Sequence, residues 1–353
     1  MNDSPIEERW IAAFCRTLER CAVKRDERCV VLSQTRSRPD LVRLAEVALL
    51  RVGAKPFLLR LLGPGARERE DAWLAPAIGA LAQVDFIVDL SPGGLQHASA
   101  LPTILANGAR VLTVGNEHPD ALERLAPDPG LSTSIAGALR RAKQSRRLQI
   151  TSRAGTQLLV STQDARCIAS NGFADQPGSH ATWPAGICQV FAAPRSVNGL
   201  VTLAIGDAIL AFNRHVDKKL RLLIQNDVVT DVKGDGVDAS LLRGRLATPS
   251  RRDHLVSHIG FGLNPAARLE AMTLYDRRDF DGGELRAREG SVHLSIGIAD
   301  DSGHPSADHL DLVLADCTVA LDADVIIDEG RLDVGLLARF GHNPATPNIG
   351  APP

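Results

Sequence analysis

Two histidines and an aspartate are the residues best placed by type and spacing to do chemistry. His258 lies in Ser257-His258-Ile259-Gly260-Phe261-Gly262-Leu263-Asn264-Pro265, and His309 and Asp311 lie in Asp308-His309-Leu310-Asp311-Leu312-Val313-Leu314. Read as a strand, the second segment puts His309 and Asp311 on one face and Leu310, Leu312 and Leu314 on the other. A histidine and a carboxylate side by side near an apolar surface are either polar groups paired locally or metal ligands. With His258 as a third donor, two imidazoles and one carboxylate make the set that holds non-haem Fe(II) with open positions for substrate and oxygen. Gly260 and Gly262 let backbone come close to whatever occupies such a site.

Other side chains invite a role beside that set. His97 ends the loop Ser91-Pro92-Gly93-Gly94-Leu95-Gln96-His97, which follows a strand at the end where open sheets place ligands; it points into a cleft or simply starts a helix. Residues 171–186 are too polar and turn-rich for a regular element and too long for a hairpin loop. Within them His180 and Trp183 stand out, and they read either as a pocket lid or wall or as a loop with a solvent-facing histidine. His293 sits in a strand-like run, 290–297, whose opposite face carries Val292, Leu294 and Ile296.

The elements that must position these groups fall into two halves. An amphipathic helix over 5–22 comes first. Strands at 29–32, 55–61, 84–90 and 109–114 then alternate with helices at 39–50, 68–82 and 98–107, which predicts a parallel sheet covered on both faces. A further helix over 132–145 ends in a basic run. From 148 the rhythm changes to short strands and turns, with strands at 199–205, 219–224, 228–232, 318–321 and 324–327, a short helix at 238–246, and another starting near Pro265. The fold class is therefore α/β, with an N-terminal parallel sheet sandwiched by helices and a C-terminal α+β metal-binding domain of mostly antiparallel strands. The domains are read as 1–147, contributing a cleft loop, and 148–353, catalytic. Residues 342–353 read as a loosely held tail.

Composition narrows the class. At 353 residues and 44% hydrophobic, the chain can bury a real core. A net charge of -2 gives no strong field for nucleic acid or an anionic membrane. The basic run 140–147 has no interleaved aromatics, so a nucleic-acid role is not expected. No Gly-x-Gly-x-x-Gly follows the first strand and no phosphate-binding Gly-Lys loop occurs, which argues against dinucleotide binding and nucleotide hydrolysis. Six cysteines without a Cys-x-x-Cys pair read as free buried thiols in a reducing compartment. The start of the chain does not read as a secretory leader, and no apolar run is long enough to span a membrane. The expectation is a soluble cytoplasmic enzyme.

The segment around His258, the Pro177–Gly178 to Trp183-Pro184-Ala185-Gly186 stretch and His309-Leu310-Asp311 together resemble the 2,5-dihydroxypyridine 5,6-dioxygenases, over nearly the whole chain. That family shares its two-domain architecture with the aminopeptidase T-like metallo-aminopeptidases. The resemblance implies one Fe(II) per subunit held by His258, His309 and Asp311. It places His97, His180, Thr182 and Trp183 at the substrate, with His97, His180 or His293 as the acid–base group. It implies molecular oxygen and a small hydroxylated N-heterocycle as reactants, N-formylmaleamic acid as product, and a homo-oligomer. The sequence departs from the family pattern at Thr182, where a histidine is expected before Trp-Pro. The hydrolase branch demands glutamates where this chain has Ile187 and His258, although His293 matches a histidine of that branch. Two adjacent dications need such carboxylates to offset their repulsion, so peptide hydrolysis is the lesser alternative, beside a non-catalytic small-molecule-binding protein.

Overall fold

The computed structural model describes residues 6–62, 74–92, 94–126, 128–247, 254–275, 282–297 and 310–341. His309 lies outside them, as do the side chain of His97, the first part of the expected helix at 68–82 and the expected tail.

The first half folds as its alternation predicts. The strands Arg28–Gln34, Lys55–Leu61, Phe86–Asp89 and Arg110–Thr113 pair in parallel, in the spatial order second, first, third, fourth. Val30, Val31 and Leu32 are fully buried because the sheet is covered on both faces. One cover includes the helices Glu8–Arg20 and Pro39–Arg51, which contribute Phe14, Leu18, Leu41, Leu44 and Leu49 to one apolar cluster. The other includes Leu101–Ala106, with Ile104 and Leu105 in a second cluster.

A fifth strand corrects the reading of 171–186. His180–Thr182 lies parallel to Arg110–Thr113, with Val111 opposite His180 and Thr113 opposite Thr182. A sheet edge is satisfied by backbone N–H and C=O groups whatever the side chains are. Three polar or small residues therefore pair as well as an apolar run would, and hydrophobic patterning does not detect them. The strand enters its ladder with Val111 N–H donating to Ser179 O and leaves it with Trp183 N–H donating to Thr113 O.

Two antiparallel sheets hold the remaining strands among the described residues. One has eight strands, including Val197–Leu203, Leu220–Gln225, Val228–Gly234 and Thr318–Leu321. The other has seven, ordered Arg214–His215, Ala208–Ile209, Leu310–Leu314, Val292–Ile296, Val256–Gly262, Ile187–Phe191 and Arg166–Ser170. Cys167, Val190, Ile259, Leu294 and Leu312 fall in one cross-strand row of this sheet. They join the core that includes Ile135 and Ala138 of the helix Pro129–Gln144. The helix expected from Pro265 shrinks to Ala271–Leu274, because Asn264 takes the chain into a turn by accepting Ala266 N–H on its side chain. The helix Val334–Gly341, which packs against Pro129–Gln144, was not foreseen. It brings its backbone over Gly137, where a Cβ would strike Leu337 O.

Candidate active site

The face of the seven-stranded sheet opposite its apolar row is polar, and register decides which residues share it. His258 pairs with Ser295, and Ser295 pairs with Asp311. The next row runs Gln189, Gly260, His293 and Val313. Alternation along each strand puts both rows on one side. His293 is fully buried, with its ring packed over Gly260 at a place a Cβ would fill. Its ring centroid is 5.6 Å from that of His258.

The sequence makes this geometry through a β-bulge. The register shifts between Val256 and His258, leaving Ser257 as the extra residue. Its hydroxyl donates to Ser295 O at 3.2 Å and sits 3.2 Å from His258 Nδ1. With the serine proton so used, the Ser257 oxygen is an acceptor toward His258 Nδ1, while Nε2 faces Gln189 and the Ser295 hydroxyl. Gln189 Nε2 lies 2.9 Å from His258 Nε2. A hydrogen-bond partner on Nδ1, with Nε2 turned toward the carboxylate, is the arrangement metal-binding histidines use.

Asp311 is 8% exposed and fully engaged. Ser295, fully buried, donates its hydroxyl to Oδ1 and stands 3.0 Å from His258 Nε2. Arg286 Nη1 donates to Oδ2 at 2.7 Å. Arg286 is carried by the short helix Gly283–Ala287. That helix is tied to the first half through Glu284, which is fully buried and accepts from Arg124 Nη2 at 2.7 Å, and through Gly283 N–H, which donates to Glu117. Phe191 stacks on His258 with ring centroids 4.9 Å apart, and Arg166 lies 4.0 Å over the Phe191 ring.

The other expected residues are placed as follows. The His97 backbone ends a single 3-10 turn, Leu95–His97, after the strand Phe86–Asp89. His180 Nε2 lies 3.1 Å from Thr113 Oγ1. Thr182 Oγ1 donates to Gln96 Oε1 at 3.0 Å, tying the first-sheet loop to the segment before Trp183. Trp183, read from sequence as an aromatic wall, is 3% exposed and belongs to the apolar cluster with Val88, Leu112 and Ile187. Its indole N–H finds no acceptor among the described residues. Gln189, Ser257, Ser295 and Arg286 were not singled out from sequence. Only the register and the bulge bring them to His258 and Asp311, and no motif of their own marks them.

Among the described residues no group of three or more His, Cys, Asp or Glu is placed to hold a metal. The pair His258 and Asp311, with Ser295 between them, offers one imidazole nitrogen and one carboxylate on a common face. The donor set fits a borderline divalent cation, provided that the contacts of Gln189 and Ser295 yield to it.

A profile of the 2,5-dihydroxypyridine 5,6-dioxygenase family matches residues 9–334. The chain belongs to this family. A 2,5-dihydroxypyridine 5,6-dioxygenase of Pseudomonas putida is 29% identical over 332 residues, covering 90% of this chain and 94% of that one. The solved structure of the 2,5-dihydroxypyridine dioxygenase from Pseudomonas putida KT2440 superposes with a TM-score of 0.83 at 26% identity, over 92% of this chain and 96% of that one. AmpT from Thermus thermophilus shares the fold, with a TM-score of 0.59 at 13% identity over 93% of this chain and 100% of that one. No described helix is long and apolar enough to cross a membrane.

Proposed function

We propose that this protein is a mononuclear Fe(II)-dependent ring-cleaving dioxygenase. It adds both atoms of O2 across the 5,6 bond of a hydroxylated pyridine such as 2,5-dihydroxypyridine and gives N-formylmaleamic acid. The observation that carries the reading is the His258–Ser295–Asp311 row, with the Ser257 hydroxyl against His258 Nδ1, in a chain of this family. His258, Asp311 and His309 would hold the iron, one per subunit of a homo-oligomer. When bound, the iron supplies the means for triplet oxygen to react with a closed-shell ring.

The chain's own groups do the rest. Ser257 orients the His258 ring through Nδ1, and Ser295 and Arg286 fix both oxygens of Asp311. Gln189, whose amide nitrogen lies 2.9 Å from His258 Nε2, turns its N–H to an oxygen of the bound ring once that nitrogen is taken. His97 and His180, on the first-sheet side, take the proton of a ring hydroxyl. A histidine titrates near the operating pH, so it suits this step. His293, buried under Gly260, supports the His258 ring from beside it. Trp183 backs the His180–Thr182 strand from the core.

The test is oxygen uptake with 2,5-dihydroxypyridine by metal-free protein reloaded anaerobically with one equivalent of Fe(II), beside a Zn(II)-loaded sample. One oxygen consumed per ring, with iron only, is the expected result. No uptake from folded, iron-loaded protein with this ring or with related hydroxypyridines overturns the reading.

A further inference from the structure

Asp89 is fully buried at the end of the strand Phe86–Asp89, and no step above uses it. Its two oxygens accept from four donors. Oδ1 takes Ser91 N–H at 3.0 Å and the Ser91 hydroxyl. Oδ2 takes Leu95 N–H at 2.5 Å and the Thr113 hydroxyl at 3.1 Å. Four donors match the acceptor sites of an ionised carboxylate, and two of them are backbone amides that can do nothing but donate. Burial pushes the Asp89 carboxyl up, and the hydrogen bonds from Ser91, Leu95 and Thr113 oppose that. Gly94, at φ +64, completes the wrap: a Cβ there would meet Thr113 Cγ2 at 2.9 Å and Asp89 Oδ2 at 3.3 Å.

The direction of these bonds has a consequence for His180. Thr113 has one hydroxyl proton. If Asp89 is ionised, that proton goes to Oδ2. The Thr113 oxygen is then an acceptor toward His180 Nε2, 3.1 Å away, so Nε2 must carry a proton. A neutral imidazole protonated on Nε2 has its lone pair on Nδ1. The same carboxylate also holds Ser91 and Leu95, just before Gln96 and His97, and Gln96 accepts from Thr182 two residues beyond His180.

We infer that Asp89 is a positioning residue for the first-sheet side of the active site. Through Thr113 it fixes His180 as the Nε2–H tautomer, and through Ser91 and Leu95 it sets the approach to His97. The tautomer assignment stands on the hydrogen-bond geometry alone. The proton-receiving role of His180 rests on the dioxygenase reading.

Long-range proton–nitrogen correlation spectra of the full chain, labelled with 15N-histidine and loaded with Zn(II), decide the first part, with His180 assigned by the signals lost in His180→Gln. The expected result is an Nε2-protonated ring in the wild type and in Thr113→Ser, and loss of that preference in Thr113→Val. Turnover by the Fe(II) enzyme is expected to fall in Thr113→Val toward that of His180→Gln and to recover in Thr113→Ser. Thr113→Val changes few atoms, so it separates this idea from misfolding, which Asp89→Asn risks. An Nδ1-protonated His180 in the wild type would mean that Asp89 donates its own proton along the chain, and would overturn the proposal. So would a Thr113→Val protein with an unchanged tautomer. An Nε2–H ring in a protein with no oxygen uptake on any hydroxypyridine would keep the tautomer assignment and remove the dioxygenase reading instead.

Discussion

Ser295→Ala is the perturbation that most directly probes the metal-side row. Ser295 is fully buried, donates to Asp311 Oδ1 and stands 3.0 Å from His258 Nε2. Removing its hydroxyl deletes a hydrogen bond to a charged group, which contributes about 1.5–3 kcal/mol. Asp311 keeps Arg286 at 2.7 Å and is 8% exposed, so the loss belongs at the low end, about 1.5 kcal/mol. For a chain of this length the entropy of unfolding is on the order of 0.7 kcal/mol per degree, so the melting temperature of the metal-free protein falls by about 2 °C. Metal affinity is the larger readout. Outer partners of metal ligands typically contribute about 10–100-fold. An anaerobic Fe(II) titration against a competing chelator is therefore expected to show Ser295→Ala binding about 10–100-fold more weakly. If Ser295 instead mainly competes with the metal for His258 and Asp311, the variant will bind iron more tightly. Tighter or unchanged binding would refute the view that the row is built to orient ligands.

Three further outcomes follow from single contacts. Arg124→Met leaves the fully buried Glu284 without its guanidinium partner; breaking such a pair costs about 3–5 kcal/mol. The urea midpoint should drop accordingly, and adding Glu284→Gln should restore part of it. Asp207 accepts Ala204 N–H and Ala315 N–H but is pushed by burial up to about 6 from 3.8. Its folded pKa lies above its unfolded one, so its favourable contribution is full below about 3.8 and is lost as pH rises through about 6. Between pH 4 and 7 the wild type should lose on the order of 3 kcal/mol relative to Asp207→Asn, and parallel stability–pH curves for the two would contradict this. All six cysteines are buried, and burial pushes Cys21 and Cys29 up to about 12. The native protein should therefore resist iodoacetamide near neutral pH and release all six thiols on denaturation; rapid native alkylation would place a thiol at the surface.

Residue types and short-range patterning were enough to set the chemistry available and the broad architecture. The strand–helix alternation before 147 is a local, short-range pattern, and the parallel sheet follows from it. The types of His258 and Asp311, and their place beside apolar neighbours, were likewise legible one segment at a time. Tertiary structure alone decided who meets whom. Register is a long-range property: Ser295 is an ordinary serine until it pairs with His258 on one side and Asp311 on the other. The bulge at Ser257 has no signature in residue type, yet it sets a hydroxyl against His258 Nδ1. The strand His180–Thr182 escaped hydrophobic patterning because backbone groups hold it to Arg110–Thr113. Trp183, conspicuous in the sequence, lies in the core because the chain turns inward where that edge strand ends. Asp89 and Thr113 are separated from His180 by many residues, and only the parallel sheet sets them in a line.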